Sequence, residues 1–333
     1  METLQVLYQS DNNYAIFMGV SICSLLENNK NVESIIIYII DDGINQDNHD
    51  KLQEMVESYG RRIIFVTGER VLNNQEITNA FNYTGMRRNT HSYLKLFFDT
   101  LLPSITGRLL YIDCDTSITG DLSELVSIDM SGHTIGMVMD SLIINSKKTI
   151  GFQSNDRYYN SGVILIDIDL WKRQKCAEKI LYHIKNVRIY GTVDQDVLNV
   201  VLKKEITTLP VEYNLQPIHL EYPYNTYSKI YKHKEKYYSQ KEISNAVKSP
   251  KIIHYLRYIG ESPWNANNVH PGTKYFDKYL ALSPWKNYEK KEANKGEIFK
   301  IEKWMYKCFP KTLFLFVFYI VHERMIKKSN RIK

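Results

Sequence analysis

The sequence predicts an α/β protein, and three observations carry that prediction. Strand-like and helix-like segments alternate from the start, giving strand, helix, strand, helix, strand within about 65 residues, an order that fits an α/β sheet with right-handed crossovers. Residues 34–40 (Ser-Ile-Ile-Ile-Tyr-Ile-Ile) form the continuous apolar run typical of a buried parallel strand. The composition, 44% apolar and 24% charged over 333 residues, fits one large domain or two ordinary ones and excludes disordered or collagen-like chains.

Taken in order, residues 4–8 read as the first strand and 15–26 as a helix with apolar residues at helical spacing. Residues 34–40 are the second strand, 47–59 an amphipathic helix and 62–66 the third strand. Residues 73–90 are polar, rich in Asn and interrupted by Gly85, and are expected to be a loop or lid. A helix over 91–101 leads into a strand at 108–112, and further strands are expected at 135–139, 162–168 and 251–255, with a helix within 191–202. No internal repeat and no clear linker precede residue 270, so the chain divides into a main domain over 1–270 and a C-terminal segment over 271–333.

Charge separates these two parts. From Lys286 to Lys333 there are thirteen Lys/Arg against five Asp/Glu, a net +8, whereas the whole chain carries +6 and the remainder therefore −2. A near-neutral body without a recognisable motif argues against nucleic-acid binding. The C-terminal segment also holds an aromatic run over 313–321, including Phe314, Phe316, Phe318 and Tyr319, flanked by Lys307, Lys311, Arg324, Lys327, Lys328 and Arg331. Nine apolar residues are too few to span a bilayer, but a base-flanked aromatic segment suits an anionic membrane surface, the alternative being a helix packed on the domain. The four cysteines lie far apart with no C-x-x-C pair, and the N-terminus lacks a signal-like stretch, so a reducing cytoplasm is expected.

The first βα turn reads Gln9-Ser10-Asp11-Asn12-Asn13-Tyr14-Ala15 and contains no glycine. The phosphate cradles G-x-G-x-x-G and G-x-x-x-x-G-K-[ST] are absent, which removes most of the weight from dehydrogenase and P-loop readings. The turn instead offers carboxylate and carboxamide groups suited to a uracil edge and ribose hydroxyls, or in the simpler reading an aspartate capping the next helix. D-x-D occurs at Asp113/Asp115, Asp167/Asp169 and Asp194/Asp196. The first, with Cys114 between its carboxylates, follows the strand 108–112, and ligands of open α/β sheets gather at such strand ends. Two neighbouring carboxylates repel, and a hard divalent cation relieves this while collecting diphosphate oxygens. Asp169 reads as the N-cap of a following helix, and Asp194 and Asp196 open another, where the helix dipole favours them. His254, ending a predicted strand, is a third candidate ligand.

Four ordered segments resemble the retaining glycosyltransferases of family 8: residues 9–15, 111–115, 159–166 (Tyr-Asn-Ser-Gly-Val-Ile-Leu-Ile) and 193–199 (Val-Asp-Gln-Asp-Val-Leu-Asn). A fifth, Ile253-His254-Tyr255 with Gly260 and Pro263-Trp264, resembles the family's closing motif. The resemblance implies a GT-A-like fold with a mixed, mostly parallel sheet, a UDP-hexose donor (UDP-glucose or UDP-galactose), a saccharide or lipid-linked saccharide acceptor, and Mn²⁺ with Mg²⁺ as the alternative. It implies that Asp113, Asp115 and His254 hold the metal and that Asp11 and Asn13 contact the uridine. Lys95 then lies near phosphate or ribose, Cys114 and Gly260 join the donor-binding residues, and Asp140, Asn160, Ser161, Asp194 and Gln195 line the sugar pocket, with Gln195 beneath the anomeric carbon and, together with Asp194, the catalytic candidate. Two departures stand out: Ser262 replaces the family's Lys before Pro-Trp, and Ser161 stands where many relatives have Ala. The expectation is a retaining hexosyltransferase of bacterial surface glycans, such as lipopolysaccharide or capsule, on the inner face of the plasma membrane. The rival class is a non-catalytic nucleotide-sugar or glycan-binding protein on the same scaffold.

Overall fold

Among the described residues the apolar runs form nine strands: β1 (Leu4–Ser10), β2 (Ile35–Asp41), β3 (Arg62–Thr67), β4 (Arg108–Ile112), β5 (Thr116–Ile118), β6 (Ile135–Met139), β7 (Tyr159–Asp167), β8 (Ile206–Thr208) and β9 (Ile252–His254). The structure, a computed structural model, describes residues 3–83, 91–141, 146–153, 155–186, 193–231, 237–294 and 296–329. Seven strands make one sheet in the order β3-β2-β1-β4-β7-β6-β8. Every neighbouring pair is parallel except those made by β7, which runs antiparallel to both β4 and β6. The sheet is therefore mixed and mostly parallel, as the resemblance implies. β1 and β2 pair in full register from Leu4↔Ile35 to Ser10↔Asp41, and their inward residues, including Val6, Leu7, Ile37 and Ile39, are inaccessible to solvent.

The helices follow the sequence pattern closely at Ala15–Asn28 and Gln46–Ser58. Asn45 caps the latter, its side chain accepting from the Asn48 amide at 2.9 Å. The polar stretch 73–90 departs from the loop expectation. Asn74 accepts from the amides of Glu76 and Ile77 at 3.0 and 3.2 Å and starts a helix over Gln75–Tyr83, held by buried Ile77, while residues 84–90 lie outside the described set. The expected helix over 91–101 is mostly 3₁₀, His91–Phe97, with one α-turn at Phe98–Leu101. The N-cap after β7 is Asp167 rather than Asp169: β7 runs on to Asp167, whose extended backbone (φ −84°, ψ 104°) lets its carboxylate accept from the Leu170 amide at 2.9 Å.

A second sheet of two antiparallel strands, β5 and β9, lies beside the main sheet and pairs Thr116 with His254. Beyond residue 270, the helix Thr273–Leu282 and Trp285 return to the first helix. Tyr279 Oη accepts from the Asn28 amide at 2.8 Å, and the Trp285 indole packs where a side chain on Gly19 would stand, donating to Asn48 at 2.9 Å. The chain ends in two helices, Glu297–Cys308 and Lys311–Ser329. The aromatic run lies in the last of these, and Phe314 and Leu315 are buried against the body while Leu313 and Phe316 are half exposed. No helix among the described residues is long and apolar enough to cross a membrane.

Candidate active site

The carboxyl ends of β1 and β4 open into a cleft of about 260 Å³ whose lining includes Gln9, Asp11, Tyr14, Asp113 and Asp115. The parallel pairing of β1 with β4 places the first βα turn beside the Asp-Cys-Asp turn. Cys114 ties the two together, its buried thiol donating to the Gln9 carbonyl at 3.0 Å. Asp11 accepts from the Tyr14 amide at 3.0 Å and from Asn13 at 3.1 Å, so it braces the turn at the start of the helix. This aspartate lines the cleft, but it is not the helix cap: the N-cap of Ala15–Asn28 is Tyr14, which has no side-chain capping bond, and Asp11 holds the turn that precedes it.

His254 arrives through β9. Its strand pairing with β5, and the Tyr255 amide donating to the Asp115 carbonyl at 2.8 Å, carry the imidazole over the acidic pair. Nε2 lies 3.2 Å from Asp115 Oδ1 and 3.8 Å from Asp113 Oδ2. One ligand atom from each of Asp113, Asp115 and His254 falls within 4.8 Å of the others, a spacing a single cation can span. The second imidazole nitrogen, Nδ1, sits 3.2 Å from Asn160 Oδ1 and 3.1 Å from Asn214 Oδ1. Asn160 Oδ1 also receives the Gly162 amide at 3.0 Å, which can only donate, so it is the carbonyl oxygen and Nδ1 carries the proton. Nε2 is the nitrogen that faces the carboxylates, and in the neutral imidazole it would offer its lone pair to a cation there. Burial pulls the His254 pKa down, but Asp115 outweighs it and holds the imidazole above its ordinary value. Burial pushes Asp115 up, and His254 in turn brings it below the ordinary carboxylate value. Gly162 makes the approach possible: a Cβ there would lie 2.1 Å from His254 Cε1. Two carboxylates and one imidazole form a mixed donor set that suits a divalent cation.

Lys95 joins this cluster to Asp194. Its ammonium is buried between Asp194 at 2.8 Å and Asp113 at 3.3 Å, donates to the Ser161 carbonyl at 3.4 Å and lies over the Tyr111 ring. Burial alone would lower its pKa; the two carboxylates outweigh this and raise it. Removing one partner of such a set costs about 3–5 kcal/mol because it strands a buried charge.

Asp140, at the end of β6, and Asn160 and Ser161, on β7, meet the first turn of the helix Val193–Val201. Gln195 Nε2 donates to Asp140 Oδ2 at 2.9 Å, and its Oε1 accepts from the Ser161 amide at 3.1 Å and from Asn160 at 3.2 Å. Ser161 Oγ donates to Asp194 at 2.9 Å. Eleven of the residues singled out from sequence therefore gather at one set of strand ends: Asp11, Asn13, Lys95, Asp113, Asp115, Asp140, Asn160, Ser161, Asp194, Gln195 and His254. Cys114, although its thiol is turned to the Gln9 carbonyl, also lines the cleft. Gly260 stands apart: with φ 67° it packs against Phe299 and lines a cavity beneath the C-terminal helices. Sequence reasoning missed Tyr158, Lys147 and Asn214. Asn214 reaches His254 through a backbone bridge between Leu215 and Ile253, a pairing with no local signature.

A mixed sheet with an acidic pair, a histidine and an amide-lined pocket at its strand ends is the arrangement of a GT-A-type glycosyltransferase. The family model described as glycosyl transferase family 8 matches residues 5–268, and the chain belongs to this family and is a retaining hexosyltransferase. It is 30% identical over 297 residues to the lipopolysaccharide 1,2-glucosyltransferase of Escherichia coli K12, covering 88% of this chain and 82% of that one. General stress protein A of Bacillus subtilis is 26% identical over 292 residues, covering 85% and 95% respectively. The solved galactosyltransferase LgtC, in complex with donor and acceptor sugar analogs, superposes with a TM-score of 0.67 at 21% identity, over 84% of this chain and 96% of that one.

Proposed function

We propose that the chain transfers a hexose from UDP-glucose or UDP-galactose, with retention, to a saccharide hydroxyl of a bacterial surface glycan such as lipopolysaccharide or capsule. The observation that carries this reading is the side-by-side placement of the Asp113/Asp115/His254 triad and the Gln195 pocket, joined by Lys95. Asp113, Asp115 and His254 would hold Mn²⁺, or Mg²⁺ in its place. A bound divalent ion would supply Lewis-acid neutralisation of the departing diphosphate. Asp11 and Asn13 would orient the uridine, with Lys95 near the phosphates. Asp140, Asn160, Ser161 and Asp194 would hold the hexose by its hydroxyls, and this positioning is the main contribution of the chain's own residues.

Gln195 is a poor nucleophile, because an amide oxygen is barely basic, and here Oε1 already accepts two hydrogen bonds. Front-side attack fits this environment better than a covalent intermediate. The bond from the anomeric carbon to the β-phosphate oxygen breaks, the acceptor oxygen bonds to the same face, and the acceptor proton leaves on UDP. The family relationship to lipopolysaccharide glucosyltransferases supports the acceptor class. Work on an intracellular acceptor would place the enzyme in the cytoplasm. The catalytic unit in this reading is residues 1–270.

A role for residues 271–333 at an anionic membrane surface draws support from exposed Ile298, Ile301, Trp304 and Phe316, with Lys300 and Lys307 among them. It draws none from Phe314, which the body buries, and Phe318 and Tyr319 also turn inward. Incubation with Mn²⁺ and a panel of UDP-sugars, with release of UDP as readout, tests the proposal. Turnover of UDP-glucose or UDP-galactose above the other donors is expected. Absence of UDP release from every donor, with the protein folded, contradicts it.

A further inference from the structure

Behind the sugar pocket lies a buried ion pair that no metal or donor contact explains. Lys147 and Asp196 are 3% and 0% exposed, and their side chains meet at 3.1 Å. Asp196 is the sequence neighbour of Gln195 on the same helical turn, yet it points into the core while Gln195 is only partly buried. Between them stands Tyr158, whose hydroxyl is 2.5 Å from Asp196 Oδ1 and 3.1 Å from Gln195 Nε2, with the Lys147 ammonium 4.0 Å from its ring centroid.

Resting on the hexosyltransferase reading above, we infer that Tyr158 is a positioning residue that, backed by the Lys147–Asp196 pair, fixes which end of the Gln195 amide faces each wall of the sugar pocket. A carboxylate paired with an ammonium only accepts, so the phenolic proton points to Asp196. The phenolic oxygen then offers only lone pairs to Gln195 and selects the amide's N–H end. Asp140 selects the same end from another direction, at 2.9 Å. The carbonyl end is thereby turned to the Ser161 amide, a group that can only donate, at 3.1 Å. Turning the amide over would set its N–H against the Ser161 N–H and its oxygen against the Asp140 carboxylate.

The polarity has a chemical consequence. A positively charged, oxocarbenium-like centre is stabilised by a fixed carbonyl dipole and opposed by a fixed N–H. Without the Tyr158 hydroxyl the amide keeps Asp140 but loses a second partner on the same end. Asp196 also loses the donor that the hydroxyl supplies.

The test is Tyr158→Phe in the full-length protein, which keeps the ring beneath Lys147 and deletes only the hydroxyl. With UDP-glucose or UDP-galactose and Mn²⁺, kcat for UDP release should fall about tenfold, on the order of the loss of one well-placed interaction. The donor KM should stay within about twofold, since ground-state contacts to the hexose remain. An unchanged kcat, or a raised KM with kcat intact, overturns the inference. A second readout does not need turnover: the ¹⁵N side-chain amide resonance of Gln195, assigned by its loss in Gln195→Ala. Its hydrogen exchange should quicken in Tyr158→Phe, and unchanged exchange also overturns the inference. If the wild type releases UDP from neither donor, the hexosyltransferase reading fails, while the exchange measurement still decides whether Tyr158 holds the amide.

Discussion

The two walls of the cleft meet opposite electrostatic demands. On the proposed metal wall, Asp113 and Asp115 keep about a quarter of their side-chain surface exposed and crowd one imidazole, with Lys95 balancing only the Asp113 side. On the proposed sugar wall, the Gln195 side chain has four hydrogen-bonding partners and Asn160 Oδ1 accepts from the Gly162 amide, Asn214 and His254. The first wall carries charge that a cation can complete; the second is satisfied by the protein alone and holds its shape without a ligand. Changes on the metal wall should therefore remove activity through the cation, and changes on the sugar wall should reduce it through geometry.

The largest effect is expected from Asp115→Asn. It replaces a charged ligand by a neutral one, and UDP release should drop by more than about 100-fold even in excess Mn²⁺, with the fold intact by circular dichroism. Retention of wild-type turnover in limiting Mn²⁺ would break the comparison at its strongest point. Next comes Gly162→Ala, which drives a methyl into the His254 ring. Overpacking of this kind costs about 1–3 kcal/mol, so a lower melting temperature should accompany weaker Mn²⁺ binding. Gln195→Ala sharpens the other side of the comparison. Turnover should fall by about tenfold without vanishing, and Mn²⁺ binding should be unaffected. A complete loss, with an adduct trapped on the wild-type side chain, would favour the covalent route. The smallest effects on turnover are expected in the last helix, where changes act on stability and surface binding instead. Phe314→Ala should destabilise the protein by about 3–5 kcal/mol because the ring is buried, whereas Phe316→Ser should leave the melting temperature within a few degrees and weaken sedimentation with anionic vesicles.

The same contrast explains what the sequence made legible. Asp113 and Asp115 stand out because an apolar strand runs directly into them, and period and position together mark a ligand site. The core strands were readable for the same reason. The site's other half depends on contacts between distant segments. His254 is set by β9 pairing with β5, and no local pattern distinguishes it from an ordinary strand histidine; only the resemblance pointed to it. Lys147 and Asp196 lie 49 residues apart with no spacing rule to join them, and a first-turn aspartate reads as a dipole partner when it is in truth a buried ion-pair member. The expected cap at Asp169 failed by two residues because β7 keeps its pairing with β4 as far as Asp167. The expected loop at 73–90 failed over Gln75–Tyr83 because Asn74 caps a helix there and Ile77 finds the core. The aromatic run over 313–321 announced an apolar helix but not which of its faces the body would cover.

The division of labour between the two walls is tested most directly by Mn²⁺ titration followed by electron paramagnetic resonance in the presence of UDP, on the wild type, His254→Ala and Gln195→Ala. The wild type and Gln195→Ala should bind one equivalent with matching affinity, and His254→Ala should bind at least about tenfold more weakly. Equal binding by all three proteins, or a loss confined to Gln195→Ala, would contradict the assignment of the metal to Asp113, Asp115 and His254.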